Sequence, residues 1–80
     1  MDTISAIKTR ILRLCAERSI TINKLATMSA LPPSSVKNIL YGKSNDPKIS
    51  TIKKICDGLD MTLIDFFDAP EFENLEPEIK

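Results

Sequence analysis

Ser34, Lys37, Asn38 and Tyr41 recur at i, i+3, i+4 and i+7, the spacing that places side chains on one face of an α-helix. Val36, Ile39 and Leu40 fall on the opposite face of the same segment, Pro33–Tyr41. The polar set offers a hydroxyl, an ammonium, a carboxamide and a phenol, groups suited to base edges and phosphate oxygens. Asn38 is the best base reader, because its amide pairs one donor and one acceptor with N6 and N7 of adenine. Lys37 meets either guanine acceptors or a phosphate, and its flexible stem suits the phosphate. Ser34 touches a base, touches a backbone oxygen, or simply satisfies an amide of the first helical turn. Tyr41 donates to a phosphate or covers the edge of the core. A polar stripe taken alone is commonly a solvated helix face, so the neighbouring elements decide between the readings.

Those side chains act only if the helix is held by its apolar face. Upstream, residues 22–29 predict a short helix capped by Thr21, whose hydroxyl accepts from a first-turn amide. Ile20 and Leu25 fit a hydrophobic staple, and Leu25, Ala26 and Met28 are expected in the core. The free amides at this helix start carry partial positive charge, a seat for a phosphate oxygen. Pro33 suits the first position of the next helix, and Pro32 prevents the two helices from merging. Leu31 is expected to plug the angle between them, and Gly42 to end the second in a left-handed conformation.

The flanks predict three further helices. Residues 3–18 carry Ile4, Ile7, Ile11 and Leu14 on an inward face, with Asp2 or Thr3 as cap. Lys8, Arg10, Arg13 and Arg18 are assigned to its solvated basic surface. A polar loop at 43–48 holds Lys43, Asn45 and Lys48 as possible phosphate contacts. A fourth helix, from 49–51 to 59, buries Ile52, Ile55, Cys56 and Leu59. A fifth, Leu63–Phe67, is capped by Thr62 with Asp65 in its first turn. One of Phe66 and Phe67 packs inward; the other is exposed or sits at a subunit contact. The acidic tail, 69–80, has only Phe72, Leu75 and Ile79 as anchors, so it is either a flexible end or packs on a partner.

Composition narrows the function classes. Eighty residues make one domain near the lower limit for a self-sufficient core, and 42% apolar content with two Gly suits a helical chain. No apolar run approaches the roughly 18 residues of a membrane span, and no secretory signal is evident, so a cytoplasmic location is expected. Cys15 and Cys56 read as buried free thiols, and with no His in the chain neither a metal site nor a cofactor is expected. There is no Gly-rich phosphate loop and no paired carboxylate set in a plausible cleft. Asp57, Asp60, Asp65 and Asp68 look like helix-end charges, which leaves an enzyme as the remotest reading. Net charge is zero, yet residues 1–54 hold ten Lys/Arg against three Asp/Glu, and residues 55–80 hold one against eight. Such polarity fits a molecule with one end turned toward a polyanion, although chance plus a solvated acidic tail also produces it.

The run TINKLATMSALPPSSVKNILYGKSNDPKISTIKKICDGLDMTLIDFF resembles the helix-turn-helix domain of the phage-repressor (Cro/CI, or Xre) type. The resemblance spans about Ile4 to Phe67 and rests on Leu25-Ala26, Val36, Ile39 and Gly42, continuing through Pro47, Ile52, Ile55, Leu59, Thr62 and Phe66. It implies an all-α, compact five-helix lambda-repressor-like domain at 1–68, followed by the acidic tail, with the third helix in the major groove. Carried over by position, Pro33, Ser34, Lys37 and Asn38 face bases. Thr21, Ile22, Asn23, Tyr41, Lys43 and Asn45 face phosphates. Three residues depart from the family pattern. Ile22 stands where the family commonly has a phosphate-binding Gln, so Asn23 or backbone amides must substitute. Ala30 stands where the turn often has Gly, at a cost of order 1 kcal/mol if φ is positive. Pro33 occupies a position often used to read bases. The implied function is sequence-specific binding of double-stranded DNA by a homodimeric transcriptional regulator, a repressor by expectation. The alternative is a protein-interaction module, such as an antitoxin or adaptor, on the same scaffold.

Overall fold

Short polar side chains mark where the helices begin. The Asp2 carboxylate accepts from the Ser5 amide at 2.7 Å, and the Thr21 hydroxyl accepts from the Lys24 amide at 3.0 Å. Thr62 accepts from the Asp65 amide while the Asp65 carboxylate accepts from the Thr62 amide, a reciprocal capping box. The computed structural model describes residues 1–42 and 46–79. Within them the order is α1 (Thr3–Glu17), α2 (Ile22–Met28), α3 (Pro33–Tyr41), α4 (Ile49–Gly58) and α5 (Leu63–Phe67), then a 3-10 turn at Pro70–Phe72. There is no strand among the described residues, and none of these helices is long and apolar enough to cross a membrane. α3 starts without a side-chain cap, on Pro33, which has no amide hydrogen to leave unpaired.

Three helices end alike, and in none is the left-handed residue a glycine. Ser19, Ala30 and Asp60 follow α1, α2 and α4 with φ of 54°, 54° and 55°. In each case the next amide reaches back to close the turn: Ile20 to the Cys15 carbonyl, Leu31 to Ala26, Met61 to Cys56. Those next residues, Ile20, Leu31 and Met61, all pack against the core. Burial of that side chain offsets the roughly 1 kcal/mol that a left-handed non-glycine residue costs. Gly42 was expected in this role and does not take it. Its backbone is extended, φ −75° and ψ 162°, and its amide donates to the Asn38 carbonyl.

The core gathers Ile11, Leu25, Val36, Ile52, Ile55, Cys56, Leu59 and Phe66, all essentially inaccessible. Burial pushes both free thiols, Cys15 and Cys56, above their ordinary pKa. Met28, expected inside, is 37% exposed, whereas Ser29 is buried. The last turn of α4 lies directly on the end of α2. A β-carbon at Gly58 would come within 2.7 Å of the Met28 carbonyl oxygen.

Arg10 also departs from expectation. Assigned to a solvated surface, it is instead only 7% exposed. Its Nε donates to the Phe66 carbonyl at 2.8 Å and its Nη2 to the Asp65 carbonyl at 2.9 Å, with the guanidinium 5.8 Å from the Phe66 ring centre. The last carbonyls of a helix have no intrahelical donors, and at α5 the planar fork supplies two of them.

The tail folds back rather than trailing away. Arg13 holds Glu71 through two bonds of 2.5 and 2.8 Å, and the Glu71 side chain is 8% exposed. Phe72 lies 5.0 Å from Phe67 and 6.0 Å from Phe66, so Phe67 is half-buried in a three-ring cluster instead of free for a subunit contact. Farther on, the Glu76 amide donates to the Met1 carbonyl at 3.2 Å.

Arg10→Met keeps the packed stem but removes both donors, and is expected to lower unfolding free energy by about 2–3 kcal/mol in urea titrations. An unchanged midpoint would refute the capping role. The Arg13 hydrogen bond holds the Glu71 carboxyl below its ordinary value of 4.5. Its stabilisation is therefore complete above that value and disappears as pH falls through the lowered one. The stability gap between wild type and Glu71→Gln should be widest near neutrality and close in acid. A gap that persists at pH 2 would contradict the ion-pair account.

Candidate nucleic-acid interface

Leu25 and Ala26 on α2, and Val36, Ile39 and Leu40 on α3, are buried, so the two helices share one apolar seam. Ala30, in its left-handed conformation, reverses the chain between them, and Leu31 fills the corner against the core. Pro32, with ψ of 142°, leads straight into Pro33 at the first position of α3. The sequence thus folds here into two rigid helices with α3 held from behind.

The other face of α3 is open. Ser34, Lys37 and Asn38 are exposed along one edge, Pro33 is exposed at its start, and Tyr41 is 66% exposed at its end. The Asn38 carbonyl serves the Gly42 amide, and its carboxamide stands at the surface. All four base-facing positions therefore lie on one edge of one helix, with Tyr41 continuing it.

The phosphate-facing set divides. Thr21 is exposed, but its hydroxyl oxygen is engaged as the α2 cap. Ile22 is half-buried against the core, so its side chain contributes packing and only its backbone faces the helix start. Asn23 is exposed, and its carbonyl accepts from the Thr27 hydroxyl at 3.1 Å. Lys43 and Asn45 lie outside the described residues. Lys24, not singled out from sequence, is exposed beside Asn23 in the first turn of α2. A lysine three residues after a Thr cap was the available signal. Lys48, exposed, caps α4 through its backbone, so an ammonium flanks the start of that helix.

Electrostatically the face is cationic at Lys24, Lys37 and Lys48, while the exposed carboxylates Asp57, Asp60, Asp65 and Asp68 belong to α4, α5 and the residues around them. Lys53 and Asp57 pair on α4. Among the described residues no group of His, Cys, Asp and Glu is arranged to hold a metal ion. The arrangement offers hydrogen-bonding groups and positive charge on a convex helix, which is chemistry for recognition.

Comparisons with known proteins agree with this geometry. Residues 10–71 match the family model described as a Cro/C1-type HTH DNA-binding domain. A curated relative, the HTH-type transcriptional repressor RghR of Bacillus subtilis (strain 168), is 42% identical over 43 residues, which are 54% of this chain and 32% of that protein. The chain thus matches about a third of that relative's length. Among solved structures, prophage Lp1 protein 11 superposes with a TM-score of 0.79 at 33% identity, covering 94% of this chain and all of the other. Helix order, the buried α2–α3 seam and a family match across most of the chain converge: this chain belongs to the Cro/C1-type helix-turn-helix DNA-binding family.

Proposed function

We propose that this chain is a sequence-specific DNA-binding transcriptional regulator, acting as a repressor, that reads the major groove with α3. The observation that carries the reading is the exposed Ser34–Lys37–Asn38 edge on a helix whose opposite face is locked into the core. Asn38 addresses an adenine edge, Lys37 a guanine or the flanking phosphate, and Ser34 the nearest base or backbone oxygen. Pro33 contributes contact surface and no donor. Thr21, Ile22 and Asn23 approach one backbone strand, the first two through main-chain atoms, with Lys24 beside them. Tyr41, Lys43 and Asn45 serve the other side. The RghR name supports repression, and occupancy of an operator is sufficient for it without any catalytic step.

A single recognition helix of this size covers about half of a typical operator, so a homodimer on a two-fold site is part of the proposal. One apolar candidate for the subunit contact is Ile64, 80% exposed on α5 beside a cleft lined by Met61 and Leu63. A DNA ligand supports a cytoplasmic location.

Two substitutions separate the roles. Asn38→Ala should cost about 1–3 kcal/mol on the preferred duplex and relax one base position. Lys43→Ala should weaken all sequences alike and reduce the slope of log K against log salt by about one. Binding titrations at several salt concentrations, on a duplex selected from a random pool, measure both. Affinities unchanged in both variants would overturn the assignment.

A further inference from the structure

The acidic tail is strapped to a defined path. It is anchored first at Arg13 by Glu71 and at the aromatic cluster by Phe72. It then runs back along α1, so that the Glu76 amide meets the Met1 carbonyl. Beyond that point, Glu78 lines one cavity with Thr3, Ile4, Ile7 and Asp46. Asp46 belongs to the segment that joins α3 to α4, and the exposed Lys48 lies two residues further on. The fold therefore carries the most acidic stretch of the chain to the connection that flanks the recognition helix.

We propose that the acidic segment 73–78 is an intramolecular brake on DNA binding, parking carboxylates beside the α3–α4 connection and so lowering affinity for duplex of any sequence. The inference rests on the DNA-binding reading above. Glu73, Glu76 and Glu78 are all exposed, as is Asp46, so their field reaches an approaching phosphate backbone through solvent. That field extends about 30 Å at 0.01 M salt and about 8 Å at 0.15 M, which makes the brake strongest at low ionic strength. It acts on phosphate and not on bases, because none of these carboxylates belongs to the α3 edge. The anchors Glu71 and Phe72 precede the braking charges, so those charges can be neutralised with the strap still seated.

The test compares the full chain with a Glu73→Gln, Glu76→Gln, Glu78→Gln variant, and with a chain ending at Asn74. Each is titrated with the selected duplex and with a mixed-sequence duplex at low and high salt. Thermal unfolding confirms that each protein is folded. Both variants should bind either duplex about 3–10-fold more tightly at low salt, with the gain shrinking toward unity at high salt and the ratio between duplexes unchanged. Binding by the variants alone also supports the brake. Equal low-salt affinities for all three proteins, or a gain confined to one duplex, overturn the brake while leaving DNA binding intact. Failure of all three to bind any duplex overturns both readings.

Discussion

The docking of one amphipathic helix governs the rest of this molecule. α3 has nine residues, too few to persist alone in water. It persists because Val36, Ile39 and Leu40 are buried against neighbouring helices. Removing three such side chains from water is worth several kcal/mol, at about 1.5–3 kcal/mol each. Burial of that face leaves the opposite one no choice of direction. Ser34, Lys37 and Asn38 point outward as a geometric consequence of the 3.6-residue period, without any interaction of their own to hold them there. The recognition edge is therefore positioned by the core.

The turns transmit that constraint. α1, α2 and α4 each end on a left-handed residue followed by an apolar side chain that seals the corner. Ala30 and Leu31 do this between α2 and α3, where the angle between helices decides how the recognition edge is presented. The three turns share one mechanism, in which local backbone cost is offset by burial one residue later. Arg10 performs a similar service at α5, donating to two carbonyls at its end. The fold thus joins short helices whose ends are satisfied by neighbours.

Much of this was legible in the residues themselves. Helix starts followed from Asp2, Thr21, Pro33 and Thr62, because caps and proline act through local backbone chemistry. The α3 edge followed from spacing, and the inward set of α4 from its period. What escaped was determined by contacts distant in sequence. Arg10 is buried because α5, more than fifty residues away, needs donors, and nothing beside Arg10 reveals that. At the end of α2 it is Ser29 that is buried and Met28 that is exposed, where the α4 backbone at Gly58 packs closely. The tail docks because Glu71 meets Arg13 and Phe72 meets two other rings, pairings that composition alone reads as a free acidic end. Gly42 is extended, a conformation that glycine permits but does not dictate. Of the interface, the α3 edge was readable. Lys24 was missed, although its position three residues after the Thr21 cap placed it in the first turn of α2.

The central claim is that the outward edge of α3 meets DNA. Backbone amide NMR spectra, recorded as a selected duplex is added to the labelled protein, examine this residue by residue. The account predicts the largest shifts across Pro33–Tyr41 and the first turn of α2, with α5 amides nearly unmoved. Shifts concentrated on α5, with Lys37 and Asn38 unaffected, would contradict it.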